Sequence, residues 1–177
     1  VRHIALSASH GELARLAGTY ANLPANVQNI VNKCGDLHLT GSAQGNINKL
    51  KAETTLDTSL GNMALNGEYQ AQGSDKLINA NIKTDGLKIG SLLNKEELLN
   101  MVAMNANVDA MISADKQVAG TLNGKIDYVD FKGYRYHNID ADISAEHNSY
   151  HGTLAINDPN GKVDLNGNAT LDGENST

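Results

Sequence analysis

Apolar and polar residues alternate along most of the chain after Asp36, and a glycine recurs on the apolar side of the alternation. Side chains on a β-strand point to opposite faces with a period of two, so each such stretch predicts a strand with one apolar and one polar face. Glycine weakens a strand and often marks a bend or a close approach of backbone or ligand. The apolar positions of the four clearest copies are Leu37, Leu39, Gly41 and Ala43; Met63, Leu65, Gly67 and Tyr69; Leu122, Gly124, Ile126 and Tyr128; and Val163, Leu165, Gly167, Ala169 and Leu171.

The periodicity predicts a mainly β chain with a few short helices. Alternation predicts strands at about residues 2–9, 36–44, 47–58, 62–72, 77–84, 101–114, 118–131, 134–145, 149–157 and 162–172, and a short extra strand at 87–89. Helical spacing of apolar residues predicts helices at about 11–19, from Pro24 to a capping Gly35, and at about 90–100. Turns are predicted at Asp85-Gly86 and at Asp158-Pro159-Asn160-Gly161.

The two halves of the chain share one order of elements. Residues 1–85 and 86–177 each begin with a strand and a helical segment and continue with a run of long strands. Self-similarity over such a period is typical of stacked repeats. We therefore expect two repeat units that form one continuous structure.

Three Asn-Gly pairs allow a second interpretation. Gly67, Gly124 and Gly167 each follow an asparagine, and Asn-Gly is a strong hairpin-turn signal. However, the alternation runs through each glycine in phase, and Leu39-Thr40-Gly41 repeats the pattern without asparagine. We favour strands that continue through these pairs, with hairpin turns as the alternative.

Composition and charge exclude several classes of function. The 177 residues carry 14 Lys and Arg against 20 Asp and Glu, a formal net charge of −6, which argues against nucleic-acid binding and against electrostatic docking to anionic lipid. No run of apolar residues approaches the length of a membrane-spanning helix. Because the pattern is already under way at Val1, we expect the chain to be an internal or C-terminal part of a longer protein.

The polar residues form no recognisable catalytic or metal-binding motif. In an extended strand His147 and His151 would lie roughly 13 Å apart, too far to share a metal, and no cysteine is close to them or to His137. No nucleophile elbow, phosphate-binding loop or dinucleotide fingerprint is present. We expect a protein without enzyme activity, metal or cofactor. The carboxylates disperse along polar faces: Asp127, Asp130, Asp140, Asp142 and Glu146.

Several segments carry a resemblance to a known family. These are Leu87-Lys88-Ile89-Gly90-Ser91-Leu92-Leu93 with the leucine-rich helix after it, the Leu-x-Gly strands, and residues 129–139 around Phe131 and Tyr134. Together they resemble the TamB-type translocation and assembly proteins of the AsmA-like superfamily, in the form seen in Bacteroidetes. The resemblance implies long antiparallel, meandering strands that curl into an open, β-taco-like trough with an apolar interior.

The family resemblance also implies a function and a location. It predicts a periplasmic part of an inner-membrane-anchored protein of the cell envelope. That protein would carry phospholipid or assist outer-membrane protein assembly, with an Omp85-type barrel as partner of other parts of the full-length protein. Acyl chains would contact the alternate residues of the strands. The predicted lining is Leu37, Leu39, Gly41, Leu50, Leu56, Met63, Leu65, Gly67, Ile78, Ile82, Met104, Val108, Ile112, Leu122, Gly124, Ile126, Ile139, Ile143, Leu154, Ile156, Val163, Leu165 and Gly167.

Two other interpretations remain open from the residues alone. One is an adhesion or binding module with a closed core and an external aromatic patch of Tyr128, Phe131, Tyr134 and Tyr136. The other is a scaffold that only spans distance. An open trough leaves its apolar faces partly exposed, whereas a closed sandwich buries them.

Overall fold

Ten strands form one antiparallel sheet in which each strand pairs with the next strand along the chain. The computed structural model describes residues 2–8, 33–115, 117–147 and 149–170. The strands are β1 (Arg2–Ala8), β2 (Leu37–Asn46), β3 (Lys49–Thr58), β4 (Gly61–Gln72), β5 (Asp75–Leu87), β6 (Leu99–Ile112), β7 (Val118–Phe131), β8 (Tyr134–Glu146), β9 (Ser149–Asp158) and β10 (Gly161–Thr170). The sheet is open, because its first and last strands, β1 and β10, lie at opposite edges and do not pair with each other.

From β2 onward short turns join each strand to the next, except between β5 and β6, and a two-residue turn can only join neighbouring antiparallel strands. Between β7 and β8, Lys132 has φ of 49° and Gly133 has φ of 79°, the pair of positive angles that a type I′ turn requires. Between β2 and β3, Asn46 Oδ1 accepts hydrogen bonds from the backbone N–H groups of Asn48 at 2.8 Å and Lys49 at 3.1 Å. The predicted turn at Asp158-Pro159-Asn160-Gly161 is confirmed, because β9 ends at Asp158 and β10 begins at Gly161.

The structure confirms that the strands continue through the three Asn-Gly pairs. Gly67 lies inside β4 opposite Ala80, Gly124 inside β7 opposite Ala106, and Gly167 inside β10. The predicted boundaries of most strands agree with the structure to within about two residues.

The segment from residue 85 to residue 100 differs from the prediction. β5 continues to Leu87, so no turn forms at Asp85-Gly86 and no separate strand forms at 87–89. A bulge takes the place of the turn: the register with β6 shifts between Thr84 and Leu87, and the Gly86 N–H donates to Thr84 Oγ1 at 3.1 Å. The phenol hydroxyl of Tyr128 donates to the Asp85 carbonyl at 3.2 Å and braces the same bulge.

The predicted helix at 90–100 is mostly wrong. The helix in this region, α1, spans only Ile89–Leu93, and it ends because Asn94 adopts a left-handed conformation with φ of 55°. Leu99 already belongs to β6, where it pairs with Phe131 of β7. Of the two earlier predicted helices, the one at 11–19 lies outside the described residues. The one from Pro24 is described only from Lys33: Lys33 and Cys34 are helical, and the predicted cap Gly35 has a left-handed φ of 65°.

Burial is concentrated in the middle strands of the sheet. The buried apolar residues include Leu87, Val102, Ala106, Ile139 and Ala141, all on β5, β6 or β8. The strand β5 crosses the predicted boundary between residues 85 and 86 and pairs with both neighbours, so one sheet runs through both predicted repeat units. Nothing helical in the described ranges has the length and apolarity of a membrane span.

Candidate apolar face

The strand registers bring the predicted lining residues onto a single face, called here the apolar face. Because paired residues in an antiparallel sheet point to the same side, the face can be followed from strand to strand. One row across the sheet contains Gly41, Thr54, Leu65, Ile82, Ala106, Gly124, Ala141, Leu154 and Leu165. The next row contains Ala43, Ala52, Gly67, Ala80, Val108, Leu122, Ile143, Gly152 and Gly167.

The other predicted lining residues occupy neighbouring rows of this face. Leu39 pairs with Leu56, and Leu56 with Met63. Met104, Ile126, Ile139, Ile156 and Val163 form a continuous line from β6 to β10, and Leu37, Leu50, Ile78 and Ile112 extend the face toward its two ends.

Small residues of the apolar face were missing from the predicted lining. Gly120, Ala141 and Gly152 share the rows above or the row next to them. Each of them is an even number of residues from a predicted lining residue on the same strand, and this spacing is the sequence signal that could have identified them. The prediction emphasised large side chains, but the structure alternates large and small ones.

Two glycines of the apolar face sit where neighbouring strands approach closely. A Cβ atom on Gly124 would lie 2.7 Å from the Cβ of Ala106 and 2.8 Å from its Cα. A Cβ atom on Gly67 would lie 2.8 Å from the Cβ of Ala80. Cβ atoms of directly opposed residues normally lie about 4.5–5.5 Å apart. The glycines therefore remove side-chain volume where the strands come together on this face.

Large side chains toward the margins of the apolar face are partly exposed. Leu50 is 39% exposed, Val163 46% and Leu165 49%, whereas Ala106 in the middle of the sheet is 3% exposed. Among the strands that the structure describes there is only one sheet, so no second layer of strands covers these side chains. An open trough predicts partly exposed apolar side chains, and a closed sandwich predicts buried ones. The apolar face is buried at its centre and exposed toward its edge.

The opposite face is polar and rich in amides. Its central row contains Ser42, Glu53, Asn66, Asn81, Asn107, Asn123, Asp142, Thr153 and Asn166. Asn81 Nδ2 donates to Asn105 Oδ1 at 2.7 Å and to Asn107 Oδ1 at 2.9 Å. Asn79 Nδ2 likewise donates to Asp109 Oδ1 at 2.6 Å, so side-chain hydrogen bonds link β5 to β6 across this face.

Two cavities are lined mainly by the polar face. One of about 670 Å³ is bordered by Asn81, Asn107, Asn123, Lys125, Asp140 and Asp142 among others, and one of about 510 Å³ by Glu68, Leu77, Asn79, Asp109 and Met111 among others. The predicted lining contributes only Gly124 to the first and Ile78 to the second. Neither cavity is the predicted trough.

The predicted aromatic patch is divided by the structure. Phe131 pairs with Tyr134 at the β7–β8 hairpin, and the rings of Tyr134 and Tyr136 meet edge to face at 4.6 Å. Tyr128 instead lies beneath the guanidinium group of Arg135, whose Cζ is 4.0 Å from the ring centroid. The patch therefore consists of three rings.

The turn between β9 and β10 orders this aromatic patch. The hydroxyl of Tyr134 donates to Asp158 Oδ1 at 2.7 Å and accepts from Asn160 Nδ2 at 2.6 Å. The Asn160 backbone N–H and the Tyr134 hydroxyl hold the pKa of Asp158 below its ordinary value.

Arg135 and Asp130 form the best-defined ion pair of the described residues. Arg135 Nε donates to Asp130 Oδ1 at 2.6 Å, and Nη2 donates to Oδ2 at 2.9 Å. These hydrogen bonds and the positive charge hold the pKa of Asp130 below its ordinary value of 3.8. A carboxyl group with a lowered pKa in the folded state stabilises the fold above the pKa of the unfolded chain.

Asp130→Asn is expected to lower the free energy of unfolding modestly at pH 7 and to have no such effect in acid. The unfolded carboxyl titrates near about pH 3.9, and the contribution of Asp130 is lost as pH falls through its lower folded pKa. Chemical denaturation of both proteins at several pH values tests this. A difference between the two proteins that stays constant from neutral to strongly acidic pH would contradict it.

The titratable residues singled out in the sequence do not converge. Within residues 33–115, 117–147 and 149–170, no group of three His, Cys, Asp or Glu side chains could hold a metal ion. His151 Nδ1 lies 2.6 Å from Asn168 Oδ1 on the polar face. Cys34 is buried, and this burial raises the pKa of its thiol.

Comparison with known proteins adds no identification. No family model, no curated protein and no solved structure matches the chain.

Proposed function

We propose that this chain is a groove segment of a cell-envelope protein, in which the apolar face contacts the acyl chains of phospholipid. The main observation in support is that the face is continuous: apolar and small residues pair with one another from strand to strand, from β2 to β10. An ordinary soluble sheet covers such a face with another layer. Here the large side chains of Leu50, Val163 and Leu165 are partly open to solvent.

The physical driving force is the removal of apolar surface from water, about 25 cal/mol per Å². Strands of up to 14 residues provide a face that is long in one direction. At about 3.4 Å per residue such strands extend roughly 45 Å, more than the length of an acyl chain. The rows of the apolar face contain few polar side chains, so a bound chain would meet no fixed polar anchor and would slide along the face.

The narrow spacing at Gly67 and Gly124 supports a sheet that bends toward its apolar side. Side chains on the inner side of a bent sheet crowd together, and glycine relieves that crowding. By its resemblance to the TamB-type proteins, the chain would be a non-catalytic, periplasmic part of an inner-membrane-anchored protein. An Omp85-type outer-membrane barrel would contact other parts of that protein.

Binding of a phospholipid with a fluorescent acyl chain, presented without detergent, tests the proposal. We expect the emission to increase when the wild-type chain is added. The double variant Leu65→Gln with Leu122→Gln should bind roughly tenfold more weakly, because two apolar side chains of the face are replaced by polar ones. The matched control is Asn66→Gln with Asn123→Gln, which introduces the same side chain one residue further on, on the polar face, and should bind like the wild type.

Two results would contradict the proposal. Equal binding by both double variants would exclude the apolar face as the lipid site. Unfolding of the apolar-face variant alone, detected by circular dichroism, would show a closed core in place of an accessible face.

A second candidate function is an adhesion or binding module, favoured by the exposed rings at the β7–β8 hairpin. Phe131 is 38% exposed and Tyr134 39% exposed, and hydrogen bonds from the neighbouring turn fix Tyr134 in place. Ordered, exposed aromatic side chains are common at recognition surfaces. This candidate predicts that the fluorescent lipid does not bind the wild-type chain at all.

A further inference from the structure

One Asn-Gly pair of the chain lies in a turn and not inside a strand. Asn160-Gly161 lies where the turn between β9 and β10 meets β10. An asparagine followed by glycine is the sequence most prone to deamidation, because glycine has no Cβ to shield its backbone nitrogen. The surroundings of each pair therefore decide which asparagine reacts. The other three pairs lie inside strands: Asn66-Gly67, Asn123-Gly124 and Asn166-Gly167.

Deamidation of such a pair begins with a ring closure whose only later co-reactant is water. The backbone nitrogen of the glycine bonds to Cγ of the asparagine, and the bond from Cγ to Nδ2 breaks. Ammonia leaves and carries away the proton of the glycine N–H. Water then opens the cyclic imide at one of its two carbonyl carbons, which gives aspartate or isoaspartate. In isoaspartate the backbone runs through the former side chain and is one carbon longer.

Pairing on both sides protects the asparagines of the interior strands. Ring closure requires the asparagine to leave the extended conformation, because the next backbone nitrogen must turn toward Cγ. Asn66 lies in β4, which pairs with β3 and β5, and Asn123 lies in β7, which pairs with β6 and β8. Neither residue can make this rotation without local opening of the sheet.

Asn160 is held only by contacts at the end of the sheet. Pro159 and Asn160 form the two-residue turn, and both are exposed. The Asn160 backbone N–H donates to Asp158 Oδ1 at 2.9 Å, and its Nδ2 donates to the Tyr134 hydroxyl at 2.6 Å. A Cβ atom on Gly161 would meet no heavy atom within 4 Å, so the space beside the attacking residue is open. The turn can therefore rearrange while the sheet stays closed.

We propose that Asn160 is a site of spontaneous deamidation, and that its conversion releases Tyr134 from the turn. The Nδ2 group that donates to Tyr134 leaves as ammonia. The new carboxylate lies close to Asp158, whose Oδ1 accepts from Tyr134 at 2.7 Å, and the two negative charges repel each other. Isoaspartate would also lengthen the backbone of a turn that joins the paired residues Asp158 and Gly161. Conversion therefore loosens one ring of the aromatic patch, whether or not the apolar face binds lipid.

Peptide mapping by mass spectrometry, after incubation of the whole chain in mildly alkaline buffer, tests the site of reaction. We expect conversion of Asn160 to be at least about tenfold faster than conversion of Asn66 or Asn123, because those two require local opening of the sheet. In concentrated urea the three asparagines should react at similar rates, since each is followed by glycine. A folded chain in which Asn160 is no faster than the other two would overturn the proposal. An unfolded chain in which Asn160 keeps its lead would overturn it as well.

Near-ultraviolet circular dichroism tests the release of Tyr134. The chain contains no tryptophan, so tyrosine dominates this signal. Asn160→Asp copies the aspartate product and should reduce the tyrosine signal. The matched control Asn157→Asp adds the same charge on the other side of Asp158, removes no hydrogen bond of Tyr134, and should retain the signal. A wild-type signal from Asn160→Asp, or equal losses from both variants, would overturn the proposed release.

Discussion

Gly124→Val is expected to lower the free energy of unfolding by about 1 to 3 kcal/mol, the range found when well-packed sites are overfilled. The added Cβ would lie 2.7 Å from the Cβ of Ala106 and 2.8 Å from the carbonyl oxygen of Asn105. Both contacts belong to the adjacent strand, and Asn105 contributes backbone, so β6 and β7 must separate to admit the valine. Because the backbone of Gly124 is outside the left-handed region, the loss reports the contact and not a forbidden φ angle.

Gly167→Val is the matched control for this substitution. It places the same side chain on the same face of the sheet, also in an Asn-Gly pair, but no heavy atom lies within 4 Å of the new Cβ. We expect a change within about 0.5 kcal/mol, as is usual for surface substitutions. Urea denaturation in dilute solution measures both. Equal losses from the two substitutions would show that the close approach at Gly124 does not constrain the sheet.

The strands could be predicted from the sequence because their apolar phase is unbroken over many residues. Alternation continues through Asn66-Gly67 and Asn123-Gly124, and this outweighed the local turn signal of each pair. The phase also assigns each residue to a face before any partner is known. The alternation does not predict which residue of the next strand lies opposite. That register depends on the geometry of the turns.

The region around α1 was mispredicted because its leucines fit two periods. Leu98 and Leu99 follow Leu92 and Leu93 at a spacing that suits a helix, but Leu99 pairs with Phe131 as the first residue of β6. Pairing along the full length of β6 outweighs the helical preference of five or six residues, since long-range partners contribute more than local propensity. The asparagine that ends the helix offered the only local signal.

The sequence predicted the large residues of the candidate site and its repeated glycines, but it did not predict the environment of each glycine. The alternation identified Leu65 and Leu122, but at Gly124 the absence of a side chain is the determining feature, because a Cβ there would lie 2.7 Å from the Cβ of Ala106. A glycine in a strand pattern signals a bend, a close approach or an open space, and the sequence does not distinguish these. Gly167 has the same pattern as Gly124 and the opposite environment.

The pattern of lipid photocrosslinks is the second large expected effect, because it is nearly all or none between adjacent residues. A photoreactive amino acid replaces Leu39, Leu65, Leu122 or Leu165, one at a time, in the protein expressed in cells. The controls are the next residues along the chain, which the registers assign to the polar face: Thr40, Asn66, Asn123 and Asn166. Each control lies on the same strand as its test position, one residue further along, and differs from it mainly in the face of the sheet.

This crosslinking comparison is the most direct test of the claim that the apolar face contacts acyl chains. The account predicts phospholipid adducts at the four leucine positions and none, or only traces, at the four polar controls. Adducts spread equally over both faces would indicate nonspecific contact with membrane. Folded protein without adducts at any of the eight positions would contradict lipid binding and leave the adhesion or scaffold function in its place.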